Sequence, residues 1–162
     1  MMPLRKQAKG GRANPPGIPH LYLATTKETA MAEVRPWIGS IISLAKFETT
    51  KELSIIDCFI DNLAKDYEIK GEPTAKIKEL KVWANINHAF SKPISIEEQD
   101  TDYVPTQIIS EFFRRHGYDG IFFKSMLGEG LNVVLFNLDD VKIVGRELYK
   151  LDRMNFLFNK IE

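Results

Sequence analysis

The chain has 162 residues, 44% hydrophobic and 27% charged, the balance of a globular protein and enough for one domain burying roughly 70% of its unfolded surface. Twenty-two basic residues cancel twenty-two acidic ones, so no overall field draws nucleic acid or an anionic membrane, and an anionic ligand must be met by a local cluster. No apolar run reaches the ~20 residues that span a bilayer, MMPLRKQAKGG lacks the apolar middle of a signal peptide, and the single Cys58 excludes an internal disulfide, which together point to the cytoplasm.

Residues 1–10 are basic and Gly-flanked and read as a mobile segment ahead of one domain, 11–162. PHLYLA, Pro19 to Ala24, predicts a short strand. Thr25, three residues before Glu28, predicts a capping box opening a helix that Pro36 stops by about Arg35. GSIISLAKFE (Gly39 to Glu48) and ELSIIDCFI (Glu52 to Ile60) are apolar and β-branched, hence two strands. From Asp61 to Lys81 the sequence is charged, with Gly71 and Pro73 breaking it into two weak helical pieces. The stretch from Lys81 to Pro105 lacks a clean period and reads as partly helical, then loop.

Pro105 suits the first turn of a helix whose stripe is Ile108, Ile109, Phe112 and Phe113, and Gly117 supplies its stop. GIFFKS (Gly120 to Ser125) and LNVVLFN (Leu131 to Asn137) predict strands around the glycine turn MLGEG, and VKIVGRELYKL (Val141 to Leu151) predicts a strand that closes the sheet. No internal repeat is visible, and the class is α+β, with strands at both ends and helices between.

Several constellations are absent. His20, His88 and His116 are far apart, without acidic or thiol neighbours at ligand spacing, so no zinc site is expected. There is no Walker A lysine loop, no GxGxxG after a strand and no serine in a nucleophile elbow. Two crowded runs remain: GRANPPGIPHLYLATTKETAMAEVRPW, from Gly11, and YVPTQIISEFFRRHGYDGIFFKSMLGEGLNVVLFN, from Tyr103.

Together these runs resemble the RES domain family, named for an Arg, a Glu and a Ser and found largely as bacterial toxins. The pattern matches at Gly11-Arg12, at GIPHLYLA, and at Ala30 through Glu33. It resumes at Thr106-Gln107, at GYDGI from Gly117 to Ile121, at Ser125, and at Gly130 with Asn132. The resemblance implies an ADP-ribosyltransferase-like split, bent β-sheet with flanking helices that grips NAD. It implies an enzyme that breaks the nicotinamide–ribose bond as an NAD glycohydrolase or NAD phosphorylase. The substrates implied are NAD and, in the second case, inorganic phosphate, with no metal required. A toxin of this kind is also expected to have a protein antitoxin with a helix-turn-helix part, and no direct contact with nucleic acid or membrane. The family's usual arginine on an earlier strand has no good counterpart, since Arg5 sits in a poor context, so the chain is expected either to lack that strand or to be the C-terminal part of a longer protein.

The side-chain chemistry agrees with that implication. Loss of neutral nicotinamide leaves positive charge on the ribose, which a carboxylate such as Glu33 would stabilise. Arg12 would anchor the pyrophosphate, Tyr22 would stack on nicotinamide, Ser125 would donate to the ribose or a phosphate, and Asn132 would support either group. Arg12, Glu33 and Ser125 are thus the catalytic candidates, and Arg12, Tyr22, Ser125 and Asn132 the binding ones. Arg35, Gln107 and Lys124 match the pattern less tightly. Taken alone, Tyr22 would be core, Glu33 a solvated charge, Arg12 a loop arginine and Ser125 the end of a strand. Two other functions fit the same residues: a protein mono-ADP-ribosyltransferase, and a catalytically silent nucleotide- or partner-binding module.

Overall fold

The computed structural model describes residues 8–59, 74–92, 99–155, 158 and 160. All six strands of the reading are present, with helices between them. Strand β1 (Leu21–Ala24) leads into helix α1 (Lys27–Glu33), followed by β2 (Ile41–Thr49) and β3 (Ile55–Asp57). Helices α2 (Ala75–Ser91), α3 (Gln99–Asp102) and α4 (Val104–Arg115) precede β4 (Gly120–Lys124), β5 (Leu131–Leu135) and β6 (Val141–Lys150). The fold is α+β. Much of the charged piece before Lys81, and the first seven residues of the segment read as mobile, lie outside the described residues.

The strands divide into two sheets. One has the order β1-β5-β4-β3 and the other is a two-stranded ribbon of β2 with β6. Strand β6 therefore does not close the main sheet, as its position after β5 suggested. Its nine paired positions run from Val141↔Thr49 to Lys150↔Ile41, with a bulge between Lys46 and Phe47. Strands β3 and β4 are parallel, which requires a long crossover, and α2 to α4 supply it.

Strand alternation gives the main sheet two different faces. Ile121, Phe123 and Val134 point to one and pack with Phe90 of α2 and Phe113 of α4. Leu21, Val133 and Leu135 point to the other and pack with Val141 and Phe47 of the ribbon. Cys58 is fully buried on the helix side, and burial pushes its thiol up to about 12. The stripe on α4 is split by this geometry. Phe113 is buried, stacking on Trp83 with ring centres 6.3 Å apart, whereas Ile108 and Phe112 face solvent. Among the described residues no helix is long and apolar enough to cross a membrane.

The cap of α1 also differs from the sequence reading. Thr26, not Thr25, caps it by accepting from the Thr29 N–H. Thr25 is diverted because its Oγ1 accepts from Leu131 N of β5 at 2.9 Å. The helix ends as Pro36 demands, through Arg35 at φ 46°, a left-handed conformation unusual for a residue with a side chain.

Candidate active site

Helix α1 is fixed against the turn between β4 and β5 by hydroxyls. Thr29, fully buried, accepts from Gly130 N at 3.0 Å. A Cβ on Gly130 would stand 2.7 Å from that same oxygen, so only glycine lets the turn approach this closely. The approach matters because Glu33 is at the far end of the helix and Ser125 at the start of the turn. Ser125 Oγ donates to Glu33 Oε1 at 2.8 Å, and Asn132 Nδ2 of β5 donates to the same oxygen at 2.7 Å. One carboxylate oxygen is thereby held by two donors, and Oε2 has no hydrogen-bond partner among the described residues.

A second assembly surrounds the Gly11-Arg12 loop. Asn14, 2% exposed, donates through Nδ2 to the carbonyls of Lys9, Pro15 and Ile18, and its Oδ1 accepts from the Tyr22 hydroxyl at 2.7 Å. That hydroxyl accepts in turn from Ala13 N at 2.9 Å. Helix α4 closes the loop from the other side. Thr106 Oγ1 donates to Arg12 O at 2.6 Å, and Gln107 Nε2 donates to the carbonyls of Gly11 and Asn14 at 2.8 and 3.1 Å. Gly11 has to be glycine, because a Cβ there would lie 2.6 Å from the Tyr22 oxygen.

This clamp sets how two side chains are presented. Tyr22 is 44% exposed although its hydroxyl is spent inside, so what solvent sees is the ring. Burial raises its pKa well above the usual phenol value, which keeps it a neutral aromatic surface. The Arg12 guanidinium reaches the end of α2, donating to Lys92 O at 2.7 Å and Ala89 O at 3.3 Å, and lies 5.4 Å over the Tyr103 ring. Burial lowers its pKa and Tyr103 opposes that shift, then Glu33.

The two assemblies meet across a cavity of about 320 Å³ lined by Arg12, Tyr22, Glu33, Asn132, Arg35 and Phe123, among others. Ser125 is 1% exposed and stands behind Glu33. The sequence reading gave it to a ribose hydroxyl or a phosphate. Its hydrogen is instead committed to Glu33, and its oxygen accepts from Leu127 N at 3.1 Å. Asn132 likewise supports the carboxylate. Arg35 joins the cavity wall, whereas Lys124 and Gln107 do not line it. Among the described residues no group of three His, Cys, Asp or Glu side chains is arranged to hold a metal ion.

Sequence reasoning missed Asn14 and the clamp role of Thr106 and Gln107. Asn14 precedes two prolines in a glycine-bearing loop and reads there as turn chemistry. The hint of the other two was the match of Thr106-Gln107 to the family pattern at the start of α4, which carries no role by itself.

No curated protein and no solved structure matches the chain significantly. The family model described as RES domain matches residues 1–152. An arginine, a glutamate and a serine brought together from separated runs around one cavity accord with that match, and the chain belongs to the RES domain family.

Proposed function

We propose that this protein consumes NAD by breaking its nicotinamide–ribose bond, with water or inorganic phosphate as the acceptor. The observation that carries the reading is the pair of short hydrogen bonds from Ser125 and Asn132 that aim Glu33 into a cavity shared with Arg12 and the exposed ring of Tyr22. With Oε1 held, Oε2 is the atom that faces the ribose. As the C–N bond breaks, its electron pair leaves with neutral nicotinamide, and the carboxylate stabilises the positive charge on the ribose. The incoming oxygen then bonds to the same carbon. When water attacks, Oε2 takes its proton. Tyr22 supplies a flat apolar surface for the nicotinamide ring and Arg12 a cation for the pyrophosphate, both positioned beforehand by the loop clamp. Ser125 acts through Glu33 and is a positioning residue in this scheme.

Purified protein incubated with NAD is expected to release nicotinamide. Mass spectrometry separates the acceptors, since phosphate-free buffer yields ADP-ribose and phosphorolysis yields its 1-phosphate. Replacing Glu33 by Ala should lower the rate about 10³-fold. Unchanged NAD at high protein concentration, with Glu33→Ala no different, would overturn the reading. Label arriving on a protein acceptor would instead identify a mono-ADP-ribosyltransferase.

The biological setting we propose is a bacterial cytoplasmic toxin neutralised by a protein partner with a helix-turn-helix part. The exposed apolar side chains of Val34, Met126 and Leu127 at the cavity rim support a partner that covers the entrance. Growth inhibition on expression of the free chain, relieved by a co-purifying neighbour, tests this.

A further inference from the structure

A second hollow, of about 520 Å³, opens between the β1–α1 passage and the β2–β6 ribbon. It shares Tyr22, Leu23, Ala24 and Ala30 with the Glu33 cavity, so one wall serves both. That wall includes β1, which is an edge strand of its sheet and offers unpaired main-chain groups to whatever passes along it. The Glu33 cavity is at the small end of the roughly 300–1,000 Å³ typical of ligand sites. It suits one half of a dinucleotide, and the continuation of the wall shows where the other half can run.

The chemistry of the second hollow differs from that of the first. Leu23, Leu44 and Phe47 give it an apolar lining that fits a planar base, and Ser43 adds a hydroxyl. By register, Leu44 pairs with Glu147 and Lys46 with Gly145, so these four positions share one face of the ribbon. Gly145 leaves space opposite the lysine, its absent Cβ falling 3.6 Å from the Lys46 Cβ. The one carboxylate among the residues lining the hollow is already satisfied, because Glu147 accepts from Lys27 and from Tyr149. Lys46 has no ion pair among the described residues. The hollow thus combines an apolar slot with a cation that acts on Glu147 only at longer range.

We propose that this hollow receives the ADP half of the dinucleotide, the adenosine lodging among Leu23, Leu44 and Phe47 and a phosphate meeting Lys46. The assignment rests on the NAD reading above and extends it from the reacting bond to the part of the substrate that does not react. It makes the enzyme selective for dinucleotide over mononucleotide, since only the former reaches both hollows.

The test is calorimetric titration of the full chain with ADP, alongside nicotinamide release from NAD and from nicotinamide mononucleotide. Saturable ADP binding is expected, weakened at least tenfold by Leu44→Trp, which fills the slot, and by Lys46→Glu, which reverses the charge. The ratio of kcat/KM for NAD over the mononucleotide should fall at least tenfold in both variants. Lys46 is exposed, so its variant keeps the test decisive where Leu44→Trp fails to fold. Absence of ADP binding, or binding and substrate ratio unaltered in Lys46→Glu, overturns the proposal. ADP binding that the variants abolish, in a protein that leaves NAD intact, would uphold the hollow and refute the Glu33 chemistry.

Discussion

The loop from Lys9 to Ile18 contains one isolated bridge, between Gly11 and Asn14, yet side chains from β1 and α4 fasten it at every turn. The β2–β6 ribbon is the opposite case. It is the longest ladder among the described residues, and most of its bonds are to itself. Its ties to the rest include Phe47 and Val141 in the core at one end and, toward the other, the exposed Lys27, which bonds Glu147 and Tyr149 at 2.9 Å each. Regular hydrogen bonding fixes the ribbon internally, whereas buried polar side chains fix the irregular loop against its surroundings. A buried polar group is costly to orphan, and an exposed ion pair contributes little. The loop should be brittle under substitution and the ribbon tolerant.

Asn14→Ala breaks the comparison hardest. It removes three donated bonds and one accepted one and strands the Tyr22 hydroxyl, so a loss of about 3 kcal/mol is expected in chemical denaturation, with a higher KM for NAD. His20, at the exit of the loop, gives the next largest effect, through pH. It is 6% exposed, and burial, reinforced by Arg114, brings its pKa from 6.5 to about 4. The unfolded chain therefore takes up a proton first as pH falls. Stability should be intact above pH 6.5 and drop through the window down to pH 4, by about 2–3 kcal/mol. Melting temperature against pH reads this, and His20→Asn should flatten the slope.

Gln107→Ala removes the side-chain donor from the Gly11 and Asn14 carbonyls, which keep their backbone bridge to one another, and a loss of about 1 kcal/mol is expected. KM should rise more than kcat falls, because Arg12 and Tyr22 are displaced while Glu33 keeps its own supports. Lys27→Met sharpens the contrast from the other side. It deletes the exposed link to the ribbon, and the melting temperature should stay unchanged within measurement. A marked drop there would mean that the ribbon depends on that link after all.

What the sequence disclosed divides along the same line. Strands β1, β4 and β5 and helix α4 were legible because alternation, a proline at the start and a glycine at the stop are local. The partnership of β2 with β6 was not, since nothing near either strand names a partner about a hundred residues away. Arg12, Tyr22, Glu33 and Asn132 were found through the spacing of family motifs, and the cavity holds all four. What a hydroxyl does with its proton is set by its neighbours in space, so the reading named Ser125 without its bond to Glu33. The Thr25–Thr26 shift has the same origin, for β5 competes with the helix for the first hydroxyl.

The chain's single thiol lends itself to timing how the molecule opens. Cys58 has no exposed surface and is packed with the aromatic rings of α2 and α4 against the main sheet, so an alkylating reagent reaches it only when that layer lifts. The labelling rate is then a clock for separation of the helices from the strands, written by nature at one position and needing no engineered probe.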